Sequence, residues 1–241
     1  SLVAERELVE ARDQNPLTRL PGNVRVAEVC AERLAAPGRG VAFAYFDFDN
    51  FKPFNDRYGF RNGDRVIMLF ADILRGTLGK PGDFVSHLGG DDFFACVAAA
   101  TPEEATRPLF DAARRFAREA SSFYAPEDHE RGWILGKDRG GVERRMSLLT
   151  VSVAVAFLHP GGELDPERLS ESLAELKREA KGSPDRTALR VVGPEKEPRD
   201  GGGKGRDEPP ADGEEAAASR RLEERRGPPH PIFTPSLIAA F

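Results

Sequence analysis

Three acidic residues are marked by their type and spacing: Asp47 at the end of an apolar run, and Asp91 and Asp92 directly after two glycines. Asp47 closes the run VAFAYFD (Val41 to Asp47), while GGDD lies between two shorter apolar runs, Asp83 to Leu88 and Phe93 to Ala98. If these runs are neighbouring strands, three carboxylates converge. Like charges at that range raise one another's pKa unless a cation sits among them. Hard oxygen donors in this number suit Mg²⁺, and Mg²⁺ held by one or two carboxylates plus phosphates is the arrangement of nucleotidyl and phosphoryl transfer. Gly89 and Gly90 remove side chains where a ligand backbone or a phosphate approaches. Lys52 and the backbone N–H groups of Asn50 and Phe51 follow the Asp47 run, placed to meet phosphate. Asn55 and Asp64 supply an amide and a carboxylate suited to a purine edge, guanine above all.

Those residues need a scaffold to bring them together. VAFAYFD is apolar on both faces, as a central strand should be. NFKPFNDRYGFRNGD (Asn50 to Asp64) is a Gly-punctuated connection, and Arg65 to Leu74 carries Val66, Ile67, Phe70, Ile73 and Leu74 at helical spacing. The runs around Gly89 to Asp92 predict a hairpin with an acidic tip. Leu109, Ala113, Phe116, Ala120 and Phe123 recur at steps of four and three, the mark of an amphipathic helix. Leu148 to Leu158 is a buried strand, Asp165 caps a helix with Pro166 in its first turn, and Ala188 to Val192 is a final strand. Residues of about 124–146, polar and Gly-rich around Trp133, Ile134 and Leu135, form an insertion. The order βαββαβ with an additional helix and edge strand predicts an α+β fold, a mostly antiparallel sheet backed by helices on one face.

Composition sets the boundaries. Of 241 residues, 35 are Lys or Arg and 40 Asp or Glu, a net charge of −5 that offers no basic footprint for nucleic acid. With 39% hydrophobic residues and 16 Phe, the chain can bury a real core. No apolar run approaches the ~20 residues of a membrane helix, and the first residues lack the pattern of a signal peptide. Cys30 and Cys96 are the only cysteines and sit among apolar neighbours, which with the missing leader points to a reducing, cytoplasmic setting. From Pro194 onward, 8 Pro and 6 Gly fall within 48 residues without an apolar period, the composition of a disordered tail. The expected division is a linker or signalling helix at 1–14, a folded body at 15–193 and a tail at 194–241.

Four motifs in register resemble the GGDEF family of diguanylate cyclases. NPLTRLPGN (Asn15 to Asn23) is similar to the family's opening element, and FDFDNFKPFNDRYGFRNGD (Phe46 to Asp64) to its D-x-D-x-F-K-x-x-N-D block. GGDDF (Gly89 to Phe93) falls at the signature hairpin, and TVSVAVA (Thr150 to Ala156) resembles a later strand. The resemblance implies a nucleotidyl-cyclase, palm-like sheet. It implies two Mg²⁺ ions per active site, with Mn²⁺ as an alternative, on Asp47, Asp91, Asp92 and the backbone carbonyl of Phe48. Asp47, Lys52, Asp91 and Asp92 are the implied catalytic group. Asn50, Phe51, Asn55, Asp64, Lys181 and Arg186 are implied to bind substrate. The reaction so implied joins two GTP into cyclic di-GMP at a homodimer, under the control of an upstream sensory domain.

The departures carry chemistry too. Asp92 stands where the family has Glu, keeping the charge on a side chain one methylene shorter. Asn15, Arg19 and Gly22 depart from the opening element, and one residue is inserted between Lys181 and Arg186. The inhibitory R-x-x-D of the family reads Lys80, Pro81, Gly82, Asp83 here, and Lys cannot supply the planar two-pronged donor, so a degenerate product site is expected. A second functional reading keeps nucleotide binding without turnover, a regulatory GGDEF domain that binds GTP or cyclic di-GMP inside a multidomain signalling protein.

Overall fold

A strand that is apolar on both sides needs cover on both sides, and β1 (Val41–Asp49) has it, with all nine residues buried. The computed structural model describes residues 13–35, 38–137 and 140–193. The expected tail, 194–241, and all but the end of the expected linker lie outside the described residues. Five strands form one sheet in the order β2-β3-β1-β6-β7, with β2 at Phe84–Gly89, β3 at Asp92–Ala98, β6 at Thr150–Leu158 and β7 at Thr187–Val192. All pairings are antiparallel except β6 with β7, which is parallel.

The alternation of β1 divides the core. Ala42, Ala44, Phe46 and Phe48 pack against α3 (Phe60–Thr77) and α4 (Pro102–Ala120), whereas Val41, Phe43 and Tyr45 pack against α1 (Asn23–Ala35) and α6 (Pro166–Gly182). Helices therefore cover both faces, not one as the sequence predicts, because β1 leaves no polar face for solvent. Phe48 stacks on Phe116 at 4.5 Å between ring centroids and meets Phe70 edge-on at 5.4 Å. Such pairs contribute about 0.5–1.5 kcal/mol each beyond area burial, so the end of β1 that carries the acids is held firmly.

Two segments read as irregular are ordered. The connection after β1 is helical: α2 (Phe51–Tyr58) meets α3 at Gly59, whose φ of 83° lets the chain turn between them. The expected insertion contains α5 (Pro126–Arg131) and a hairpin of β4 (Trp133–Lys137) and β5 (Glu143–Ser147), which form their own two-stranded sheet. Ile134 of β4 is fully buried in the main core. The buried Asp128 carboxylate accepts from Tyr58 Oη, Arg57 and Arg131, tying α5 to α2. Burial pushes the Asp128 pKa up, but Tyr58 and Arg57 outweigh it and hold the carboxyl below its ordinary range. Asp13, on the linker side of the expected boundary, accepts from the backbone N–H groups of Gly22, Val24 and Arg25 at the start of α1. A Cβ on Gly22 would lie 2.2 Å from the Asp13 carbonyl oxygen, so this seat admits only glycine. No helix among the described residues is long and apolar enough to cross a membrane.

Candidate functional site

The site is built where β1 outruns its neighbour. Pairing of β1 with β3 ends at Asp47 opposite Asp92, while pairing with β6 continues through Phe48 to Asp49 opposite Thr150. A notch results, with Asp47 on its floor and Asp92 on its wall. The β2–β3 hairpin turns through Gly89 and Gly90, at φ of 136° and 57°, in backbone conformations that suit glycine. His87 fixes that turn from below. It is buried, stacks on Phe93 at 4.3 Å, donates from Nε2 to the Gly90 carbonyl at 3.0 Å and accepts from Thr18 Oγ1 at Nδ1 at 3.1 Å. The tautomer follows from the carbonyl, which can only accept. Burial pulls the His87 pKa down, partly offset by the Gly90 carbonyl.

Two lysines of α6 neutralise the notch. Lys181 Nζ donates to Asp47 Oδ1, and Lys177 Nζ lies 2.7 Å from Asp47 Oδ2 and 3.4 Å from Asp92 Oδ1. Burial pulls the Lys177 pKa down, but its bonds to Asp47 outweigh this and leave it raised. Asp92, further from the ammonium, stays above the ordinary carboxyl range, chiefly because it is buried. Asp91 at the turn is pushed up to about 6 by burial, then by Asp92 and Asp47, with Lys181 opposing. The charges of Asp47 and Asp92 thus both act on Asp91.

Other expected residues lie further out. Lys52 is 80% exposed and pairs with Asp56 at 2.6 Å, one turn along α2, instead of joining the acids. Asn50 has a left-handed φ of 61° and donates from Nδ2 to Ser147, its carbonyl opening α2. Asn55 Oδ1 is buried without a hydrogen-bond partner, and a Cβ on Gly63 would stand 2.0 Å from it. Asp64, the next residue, is exposed on α3. Arg186, at φ 59°, donates to the Lys181 carbonyl and lies 3.9 Å from Asp49 Oδ2. Lys80 and Asp83 bond each other in a tight turn through both backbones and the Asp83 carboxylate.

The donors suit a hard divalent cation in chemistry, since carboxylates of Asp47 and Asp92 face each other with Asp91 beside them. In their present rotamers ammonium groups occupy Asp47, and among the described residues no group of three His, Cys, Asp or Glu side chains is arranged to hold a metal ion.

Residues 13–131, which include the three acids and their hairpin, match the family described as "Diguanylate cyclase, GGDEF domain". Over these residues, just under half of the chain, the protein is similar to the GGDEF family. It is 34% identical over 103 residues to diguanylate cyclase DgcP of Pseudomonas aeruginosa, and 30% over 105 residues to the bifunctional diguanylate cyclase/cyclic di-GMP phosphodiesterase MucR of the same species. Each match covers 42% of this chain and 15% of the relative, so the shared part is a small share of those proteins. The GGDEF domain of DgcB from Caulobacter crescentus, solved with cyclic di-GMP, superposes with a TM-score of 0.52 at 22% identity, over 74% of this chain and 95% of that one. At this identity the likeness concerns the fold.

The GGDEF match ends at Arg131, before α6, so both lysines of the notch lie outside it. Lys177 was not among the expected site residues. Its signal is its position one helical turn before Lys181, which puts both on one face. Asp49 was missed as well. It is buried and accepts from Thr150 Oγ1 at 2.8 Å and Ser152 Oγ at 2.9 Å, and its two-residue spacing from Asp47 put it on the same strand face. His87 and Asp128 carry no motif, because Thr18, which bonds the one, and Tyr58, which bonds the other, lie 69 and 70 residues away.

Proposed function

We propose that this GGDEF domain is a diguanylate cyclase. The 3′-hydroxyl oxygen of one GTP forms a bond to the α-phosphorus of another, the bond to the bridging oxygen breaks, and pyrophosphate leaves with that electron pair. A second, reciprocal attack closes cyclic di-GMP. One GTP on each of two facing domains supplies both attacks, so the homodimer is the catalytic unit. The observation that carries this reading is the notch itself, where Asp47 stands opposite Asp92 beside Asp91, under two lysines of α6.

Lys181, 40% exposed at the mouth, can exchange Asp47 for a phosphate oxygen. The backbone N–H groups at the start of α2 point towards the same end of β1, and a helix N-terminus of this kind favours anions. Asn55 and Asp64 flank the junction of α2 and α3 and read guanine. Mg²⁺, or Mn²⁺ in its place, held by Asp47, Asp91, Asp92 and the Phe48 carbonyl would neutralise phosphate charge and lower the hydroxyl pKa. An upstream sensory domain would set how often two such domains meet.

The test is to incubate the chain with GTP and Mg²⁺ and to identify products by mass spectrometry, with Asp47→Asn as the inactive control. Cyclic di-GMP should form at a rate rising with the square of protein concentration while dimers are scarce. Bound GTP without any product at high protein concentration would refute the enzyme. The second reading, a regulatory domain that binds GTP or cyclic di-GMP without turnover, would then stand. One observation favours it: Asp47 is already neutralised by the chain's own lysines.

A further inference from the structure

Lys177 has no part in the proposed chemistry, yet it is the most enclosed cation of the site. Its Nζ touches Asp47 Oδ2 at 2.7 Å and Asp92 Oδ1 at 3.4 Å, lies 3.4 Å from Tyr45 Oη and sits 4.5 Å above the centroid of the Tyr45 ring. Two carboxylates, a hydroxyl and an aromatic face therefore surround one ammonium, on a side chain only 21% exposed. These are the surroundings a bound cation would have, and Lys177 carries one on a flexible four-carbon stem. The ammonium bridges the two strands at the point where like charges would otherwise face each other across the ladder.

We propose that Lys177 is a resident counter-cation: it holds the Asp47–Asp92 pair together in the free domain and has to leave before a divalent cation can bind there. This rests on the reading of Asp47 and Asp92 as cation ligands. Two consequences separate it from a merely structural salt bridge. Removing the ammonium should strengthen divalent-cation binding, because the competitor that bridges both carboxylates is gone and Lys181 holds only Asp47 Oδ1. It should also make stability depend on that cation, because Lys181 alone is then left to offset the facing carboxylates.

The probe is Mn²⁺, which takes the same oxygen donors as Mg²⁺ and is read directly by electron paramagnetic resonance. The titration uses the full chain without nucleotide, in the wild type, Lys177→Met, Lys177→Arg and Lys177→Met with Asp47→Asn. Lys177→Met should bind Mn²⁺ at least about tenfold more tightly than wild type, and its melting temperature should rise with Mn²⁺ where that of wild type barely moves. Lys177→Arg should stay weak, and the double variant should lose the gain. Equal or weaker Mn²⁺ binding in Lys177→Met, or a gain that survives Asp47→Asn, overturns the proposal. Should the Met variant fail to fold, Lys177→Gln gives the same comparison. Tight Mn²⁺ binding in the variant without cyclic di-GMP from the wild type would refute the cyclase alone. Equal affinities in an active enzyme would refute this inference alone.

Discussion

Asp128→Ala should destabilise the domain by about 2–4 kcal/mol. The carboxylate is 1% exposed and is the meeting point of Tyr58, Arg57 and Arg131. The bond from Tyr58 to a buried charged acceptor is worth about 1.5–3 kcal/mol. Arg57 and Arg131 are each more than 40% exposed, so each adds only about 0–1 kcal/mol, and both can turn to solvent once the acid is gone. A domain of this size loses about 2–4 °C of melting temperature per kcal/mol, so about 6–12 °C is expected for a loss near 3 kcal/mol. Thermal and urea unfolding of Asp128→Ala, with Arg57→Ala beside it, reads the difference. The arginine variant should cost less than about 1 kcal/mol. Under the proposed function, GTP affinity should fall with Asp128→Ala, because α2 carries Asn55 and Asp128 fastens α2 to α5. A melting temperature within about 2 °C of wild type would show that the carboxylate is not the fastening, and the assignment of α5 as a support for the site would fail.

Two further outcomes follow from buried groups near the site. The unfolded chain protonates His87 near its ordinary pKa of about 6.5, whereas burial makes the folded chain resist. Stability from this residue is therefore fully present above about pH 6.5 and is lost as pH falls. Urea titrations at pH 7.5 and 5.5, both chosen to bracket that value, should show a smaller loss in His87→Asn than in wild type; equal losses would refute it. Gly63→Ala should raise stability or leave it unchanged while weakening GTP binding. Ala gains up to about 1 kcal/mol of helix propensity, and its Cβ would displace the unpartnered Asn55 Oδ1. Isothermal titration with GTP beside a melting curve checks both signs, and unchanged affinity would remove Asn55 from the guanine subsite.

The acids were legible in the sequence because each interrupts a pattern. Asp47 ends an apolar run, and Asp91 follows a glycine pair that marks a turn. The central strand, the hairpin and the Asp165-capped helix were legible for similar reasons, since period and punctuation agree there. Helix α2 was not, because its polar, Gly-terminated sequence reads as a loop and its apolar face is short, with Phe54 alone fully buried and Phe51 and Tyr58 partly so; burial of Phe54 overrides weak propensity. The β4–β5 hairpin escaped notice because its pattern is too short to show a period, with Ile134 alone fully buried. Asp128 looked like one acid in a polar stretch, and nothing local says that Tyr58, 70 residues earlier, waits for it. Lys177 was hidden in a charge-rich helix, where any lysine passes for a solvated one.

The notch also shows what a sheet requires in order to hold acids face to face. Like charges directly opposite on antiparallel strands destabilise the pairing, so Asp47 opposite Asp92 needs compensation from outside the ladder. Asp49 draws its compensation from β6, through the Thr150 and Ser152 hydroxyls. Asp47 instead draws on α6, whose lysines sit on long side chains and can exchange one oxygen partner for another. Under the proposed function, that difference separates a structural acid from a site acid. A cation bound at Asp47 would free both ammonium groups, and phosphate is the partner that Lys181, the more exposed of the two, would then seek. By linkage, divalent cation and GTP should strengthen each other by the same factor. Titrating GTP with and without Mn²⁺, and Mn²⁺ with and without GTP, measures that factor twice. A factor of one in both directions would mean that the lysines never leave Asp47, and that the acids and the phosphates are served by separate charges.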